Sequence, residues 1–147
     1  MRFEEWVARL TATGHRVCPA STRVPLELCG LRPDGTGMHF RCRGTRATLS
    51  LYAPGRARWQ VRVFDPSWTP EETLAIWERR PYTGWEEAPP HSRLVFDDGE
   101  RPDVHVLYDG ARERGWTGHE AGLLRVDEGA ALFEHLLRDA LALPAAA

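Results

Sequence analysis

The chain has 147 residues, a formal net charge of −2, and 42% hydrophobic and 27% charged residues. That length fits one compact domain able to bury about two thirds of its unfolded surface, and the composition is that of a globular chain, not a disordered or fibrous one. The near-neutral balance argues against a globally basic nucleic-acid binder, and no run approaches the ~20 apolar residues of a membrane span.

The N-terminal stretch MRFEEWVARL carries acids and no apolar signal-type segment, which points to a cytoplasmic chain with reduced thiols. Phe3, Trp6, Val7 and Leu10 recur at helical spacing, and Gly14 supplies a stop, so the first element is an amphipathic helix. VPLELCGLR reads as a strand, and PDGTG at 33–37 as a turn. In MHFRCR, Met38, Phe40 and Cys42 alternate with His39, Arg41 and Arg43. In TRATLSLYA, Ala47, Leu49, Leu51 and Ala53 alternate with Arg46, Thr48, Ser50 and Tyr52. WQVRV repeats the pattern, with Trp59, Val61 and Val63 inward and Gln60 and Arg62 outward. Strict alternation predicts a sheet with one buried face and one polar face.

SWTPEETLAIWERRP predicts a middle helix: Thr69 as N-cap, Pro70 at the first position, Glu72 closing a capping box, Leu74 and Trp77 as its stripe, and Pro81 as its end. A loop holding Gly84, Pro89 and Pro90 follows. Residues 94–96 and 104–108 then read as a hairpin around a turn at 97–99. The glycine-rich segment 110–122 reads as a loop leading into a short strand at 123–126. Asp127 can cap a last helix whose stripe is Leu132, Phe133, Leu136, Leu137, Ala140 and Leu141. Pro144 ends it, leaving a frayed tail at 144–147. The expected fold is α+β: one domain over 1–143, with a single antiparallel sheet of about six strands and three helices packed on one face. The expected order is one helix, four strands, a helix, two or three strands and a helix. In element order alone this resembles small bacterial chaperones of the type III secretion kind, which implies a protein-binding role.

The charge is segregated. Residues 41–62 carry six Arg and no acid, whereas residues 63–147 carry eight Arg against 17 acids. All 19 basic residues are Arg, the mark of a GC-rich, actinobacterial-like genome. The outward residues His39, Arg41, Arg43, Arg46, Tyr52 and Arg62 form a candidate surface for an anionic ligand or acidic partner, against the blander alternative of a solvated face. Trp85, in a charged proline-rich loop with Tyr82, is a candidate interface anchor.

His15/Cys18 and His39/Cys42 share a spacing that suggests metal ligands. Residues three apart on a strand point to opposite faces, so His39 and Cys42 separate and no metal or cofactor is expected. Cys42 and Cys29 then read as core residues, and Cys18, before Pro19, as the most exposable thiol. His105, His119 and Glu120, among Gly115, Gly118 and Gly122, are the residues for an alternative reading as a small enzyme or small-molecule binder. No G-x-S-x-G, P-loop or H-E-x-x-H motif accompanies them. The leading expectation is an interaction module of chaperone, adaptor or immunity type. Its partner is another protein, with a homodimer or a small anion compatible and nucleic acid disfavoured.

Overall fold

The structure, a computed structural model, describes residues 1–18, 21–62, 67, 69, 77–81, 93–96 and 101–143; for 61–62, 77–81 and 93 it describes the backbone alone. The fold is α+β and antiparallel throughout its sheets. Helix α1 spans Phe3–Ala12, followed by strands β1 (Arg16–Val17), β2 (Glu27–Leu31), β3 (Gly37–Arg43), β4 (Arg46–Tyr52), β5 (Ala57–Arg62), β6 (Trp77–Pro81), β7 (Arg93–Phe96) and β8 (Val104–Asp109). A short helix α2 (Gly110–Arg114) and the long helix α3 (Val126–Ala142) complete the described elements.

The strands form two sheets where the sequence suggested one. The larger has the order β1-β2-β3-β4-β8, and the smaller the order β6-β5-β7. The large sheet buries the face predicted from the alternation. Leu28, Met38, Phe40, Cys42, Ala47 and Leu49 are fully buried there, under Trp6 and Leu10 of α1 and Leu132, Phe133 and Leu136 of α3. Trp6, Phe40 and Phe133 meet edge-to-face, with ring centroids 5.4 to 6.3 Å apart. Aromatic contacts of this kind add about 0.5–1.5 kcal/mol each beyond area burial. Gly129 lets α3 lie close over Leu26, where a Cβ would collide with the leucine.

The second sheet covers one end of the opposite face. Trp59, Leu94 and Phe96 pack there with Leu31, Tyr52 and Cys18. Tyr52 stacks flat on Phe96, centroids 3.9 Å apart, and the Arg56 guanidinium lies 5.3 Å from the Tyr52 ring centre. Gly37 lies beneath Phe96, and a side chain there would overlap the ring. Asp103, just before β8, accepts from the Ala53 amide at 2.6 Å and from Arg56 at 2.8 Å, tying the β4–β5 turn to the start of β8.

Three local expectations are corrected. Trp77–Pro81, assigned to the end of the middle helix, is strand β6, because pairing with β5 supplies its backbone partners and overrides the local helix signals; residues 70–76 lie outside the described set. The expected hairpin of 94–96 with 104–108 does not pair with itself: β7 pairs with β5 and β8 with β4, in different sheets. The segment expected as a strand at 123–126 is turn leading into α3, which begins at Val126 with Asp127 in its first turn. Among the described residues no helix is long and apolar enough to cross a membrane.

Candidate functional site

The large sheet's second face is the candidate surface, and strand register sets its layout. Four cross-strand rows run across it. Leu31, Gly37 and Tyr52 form the row under the second sheet. Next come Cys29, His39, Ser50 and His105, then Glu27, Arg41, Thr48 and Leu107, and last Arg43, Arg46 and Asp109.

Two side-chain pairs occupy these rows. His39 Nε2 and Glu27 Oε1 are 2.5 Å apart, each side chain about one third exposed. Ser50 Oγ and His105 Nδ1 are 2.9 Å apart. Ladder geometry explains the second contact. Gly110 N–H donates to Thr45 C=O at 2.8 Å in register with the ladder, so Val104, Val106 and Tyr108 turn their backbone groups toward β4. Ser50 and His105 are therefore a non-hydrogen-bonded pair, the kind that brings side chains closest. By the same alternation the backbone N–H and C=O of His105 and Leu107 turn away from β4, toward the side of β8 on which no described strand pairs.

The sequence-derived candidates are placed unevenly. His39, Arg41, Arg43 and Arg46 share the surface, as the alternation required. Tyr52 points to the same face but is 6% exposed, because the second sheet closes over it. The side chain of Arg62 and all of Trp85 lie outside the described residues. The surface is also not acid-free, because β2 and β8 bring Glu27 and Asp109 beside the arginines. Those carboxylates are engaged elsewhere: Glu27 with His39, and Asp109 with the amides of Ala111 and Arg112 at the start of α2. Among the described residues Arg41, Arg43 and Arg46 make no ion pair or side-chain hydrogen bond.

His105, His119 and Glu120 do not assemble. His105 lies near the Leu51 end of the β4–β8 ladder, whereas Gly118 approaches Gly44, beyond the Arg46 end. Glu120 closes its own turn, accepting from the amides of Thr117 at 2.9 Å and Gly118 at 2.7 Å. Those amides, Thr117 foremost, hold its carboxyl below the ordinary range and so favour a fixed acceptor over a proton-transfer group.

The cysteines are rearranged relative to expectation. All three are thiols. Cys18 is 2% exposed and Cys42 fully buried, and Cys29 is the most accessible of the three. Burial pushes the Cys42 thiol up to about 12, which makes it inert. Among the described residues no group of three or more His, Cys, Asp or Glu is placed to hold a metal ion.

Known proteins give no further guide. The chain matches no protein-family model, no curated protein and no solved structure. The residues that sequence reasoning missed are Ser50, which was seen only as a neighbour of the arginines, and Glu27, which had no visible link to His39. Both are set by register between distant strands, and only the alternation of each strand was legible beforehand.

Proposed function

We propose that this chain is a protein-interaction module that accepts an extended strand from a partner along the open edge of β8, with partner carboxylates reaching Arg43 and Arg46. The observation that carries the reading is the edge itself. Six residues long, β8 turns the backbone groups of His105 and Leu107 away from β4, its only neighbour among the described residues, and both side chains are exposed, Leu107 at 48%. Proteins ordinarily blunt such an edge with Lys, Pro, a bulge or a covering element. VHVLYD contains neither Lys nor Pro. Strand addition draws affinity from main-chain hydrogen bonds and specificity from alternate side chains. Here the apolar contact is Leu107, and the charge contact is the pair of arginines on the adjoining strands.

The alternative of an enzyme built on His105 receives less support. Ser50 sits in mid-strand and is 8% exposed, and no carboxylate orients His105 among the described residues. A nucleophile–base pair is usually completed by such a third group.

The test is binding of a labelled peptide of alternating valine and glutamate, followed by fluorescence anisotropy. Binding is expected to weaken with salt and to be lost in Arg43→Glu/Arg46→Glu. Backbone methylation on the peptide's pairing side is expected to weaken it as well. Binding indifferent to both the charge reversal and the methylation would overturn the proposal.

A further inference from the structure

A separate observation concerns Cys18 and Cys29. β1 and β2 pair with Val17 opposite Gly30, and the next step of that register sets Cys18 directly opposite Cys29. The Cys18 amide donates to the Cys29 carbonyl at 2.7 Å, which confirms the step. Directly opposed residues project to the same side, and both cysteines pack against one cluster with Leu31, Tyr52 and Trp59. Hydrogen-bonded antiparallel pairs hold their Cα atoms about 5.5 Å apart, inside the roughly 4.4–6.8 Å range of disulfides.

Cys29 also has a polar neighbour on its other side. It stands opposite His39, and the Cys42 amide bonded to the Leu26 carbonyl at 2.9 Å makes Cys29 and His39 a close, non-hydrogen-bonded pair. His39 in turn is held by Glu27. A thiol, an imidazole and an orienting carboxylate thus lie in sequence across β2 and β3. Cys18 is approached differently: a cavity of about 340 Å³ between α1 and β1 is lined by Phe3, Glu4, Val7, Val17, Cys18 and Ser21. Ser21 marks its proximity to Cys29, because its hydroxyl accepts from the Cys29 amide at 3.0 Å.

We infer that Cys18 and Cys29 are a redox-active pair that closes a reversible disulfide in response to a peroxide. Cys29 gives its thiol proton to His39, and its sulfur attacks one peroxide oxygen. The O–O bond breaks, Cys29 becomes a sulfenic acid, and the departing oxygen takes the proton and leaves as water. Cys18 then attacks the Cys29 sulfur, the S–O bond breaks, and a second water departs carrying the Cys18 proton. Two thiols are oxidised and one peroxide is reduced to two waters. A small dithiol reverses the step by thiol–disulfide exchange. In an open pair the Cβ atoms stand about 5 Å apart against roughly 4 Å in a disulfide, so closure takes a local twist of the two residues within a backbone spacing already in the disulfide range.

The experiment exposes the full chain to a slight excess of hydrogen peroxide, blocks remaining thiols with N-ethylmaleimide under denaturing conditions, and reads intact and peptide masses. The expected product is two hydrogens lighter, retains one alkylatable thiol at Cys42, and is restored by dithiothreitol. Cys42→Ser should form the same disulfide and leave no thiol to alkylate, and Cys18→Ser should leave a Cys29 sulfenic acid that dimedone traps. His39→Gln should slow oxidation about tenfold near neutral pH while reaching the same disulfide. Three alkylatable thiols after peroxide, a linkage through Cys42, or a cross-link between two chains would overturn the pairing. An unchanged rate in His39→Gln would remove His39 from the step.

Discussion

At the residue scale, burial and hydrogen bonding separate groups that the sequence presents as equals. Cys18, Cys29 and Cys42 are one residue type in three settings, and burial raises the Cys42 thiol to about 12. Iodoacetamide at pH 8 is therefore expected to alkylate Cys29 well ahead of Cys42 in the folded protein, read by peptide mapping. Equal rates would mean that the core under α1 and α3 opens. Two other groups tie stability to pH. Burial, first of all, lowers the His15 pKa below its ordinary 6.5. The Ala53 amide, and then the Arg56 side chain, lower that of Asp103 below 3.8. In both cases the unfolded chain binds the proton more readily, so their stabilisation is complete above the unfolded value and is lost as pH falls through the folded one. Urea unfolding across an acid series should show a shallow decline below about pH 6.5, absent in His15→Gln, and a further one below about pH 4, to which Glu120 and Asp34 also contribute and which should be shallower in Asp103→Asn. Because Asp103 is nearly half exposed, its substitution should cost only about 1 kcal/mol at neutral pH.

At the element scale, one clasp between the second sheet and the first is Phe96 on Tyr52 over Gly37. Phe96→Ala removes a buried ring and its stacked partner's contact, an expected loss of about 3 kcal/mol in urea denaturation. Gly37→Ala acts from the other side by forcing a methyl into the ring, with an expected loss of about 1–3 kcal/mol. Near-wild-type stability in both would mean that the sheets are joined elsewhere. The same clasp explains what was legible beforehand. α1, β3, β4 and α3 could be read because each buries one face against the core, leaving a period in the residues. The fate of the opposite face had no such signal. Tyr52 alternates correctly with Leu51, yet whether it meets solvent depends on β7, more than forty residues later. β6 and the separation of β7 from β8 were hidden for the same reason: a strand's partner is chosen by long-range packing, and the turn residues at 97–99 only suggested a local one.

At the scale of the whole molecule, the two faces of the large sheet divide the work between stability and recognition. One face is closed by α1 and α3; among the described residues the other is closed only at the Tyr52 end, leaving Arg41, Arg43, Arg46 and Leu107 on the remainder. The second half of the chain is rich in acids, and Asp109, which it brings to this face, is engaged at the start of α2. Among the described residues the positive charge on β3 and β4 therefore has no counter-ion, and β8 beside it has no second strand partner. Leu107→Lys separates recognition from folding. The residue is about half exposed and outside the core, so the substitution should change unfolding stability by no more than about 0.5 kcal/mol. A lysine on an edge strand opposes strand addition, because an incoming strand would bury its charge. Peptide binding should therefore fall sharply while the denaturation curve stays in place. If the chain instead pairs with itself through β8, the same variant should shift sedimentation from dimer to monomer. Undiminished binding with a fully formed fold would move the recognition surface off β8.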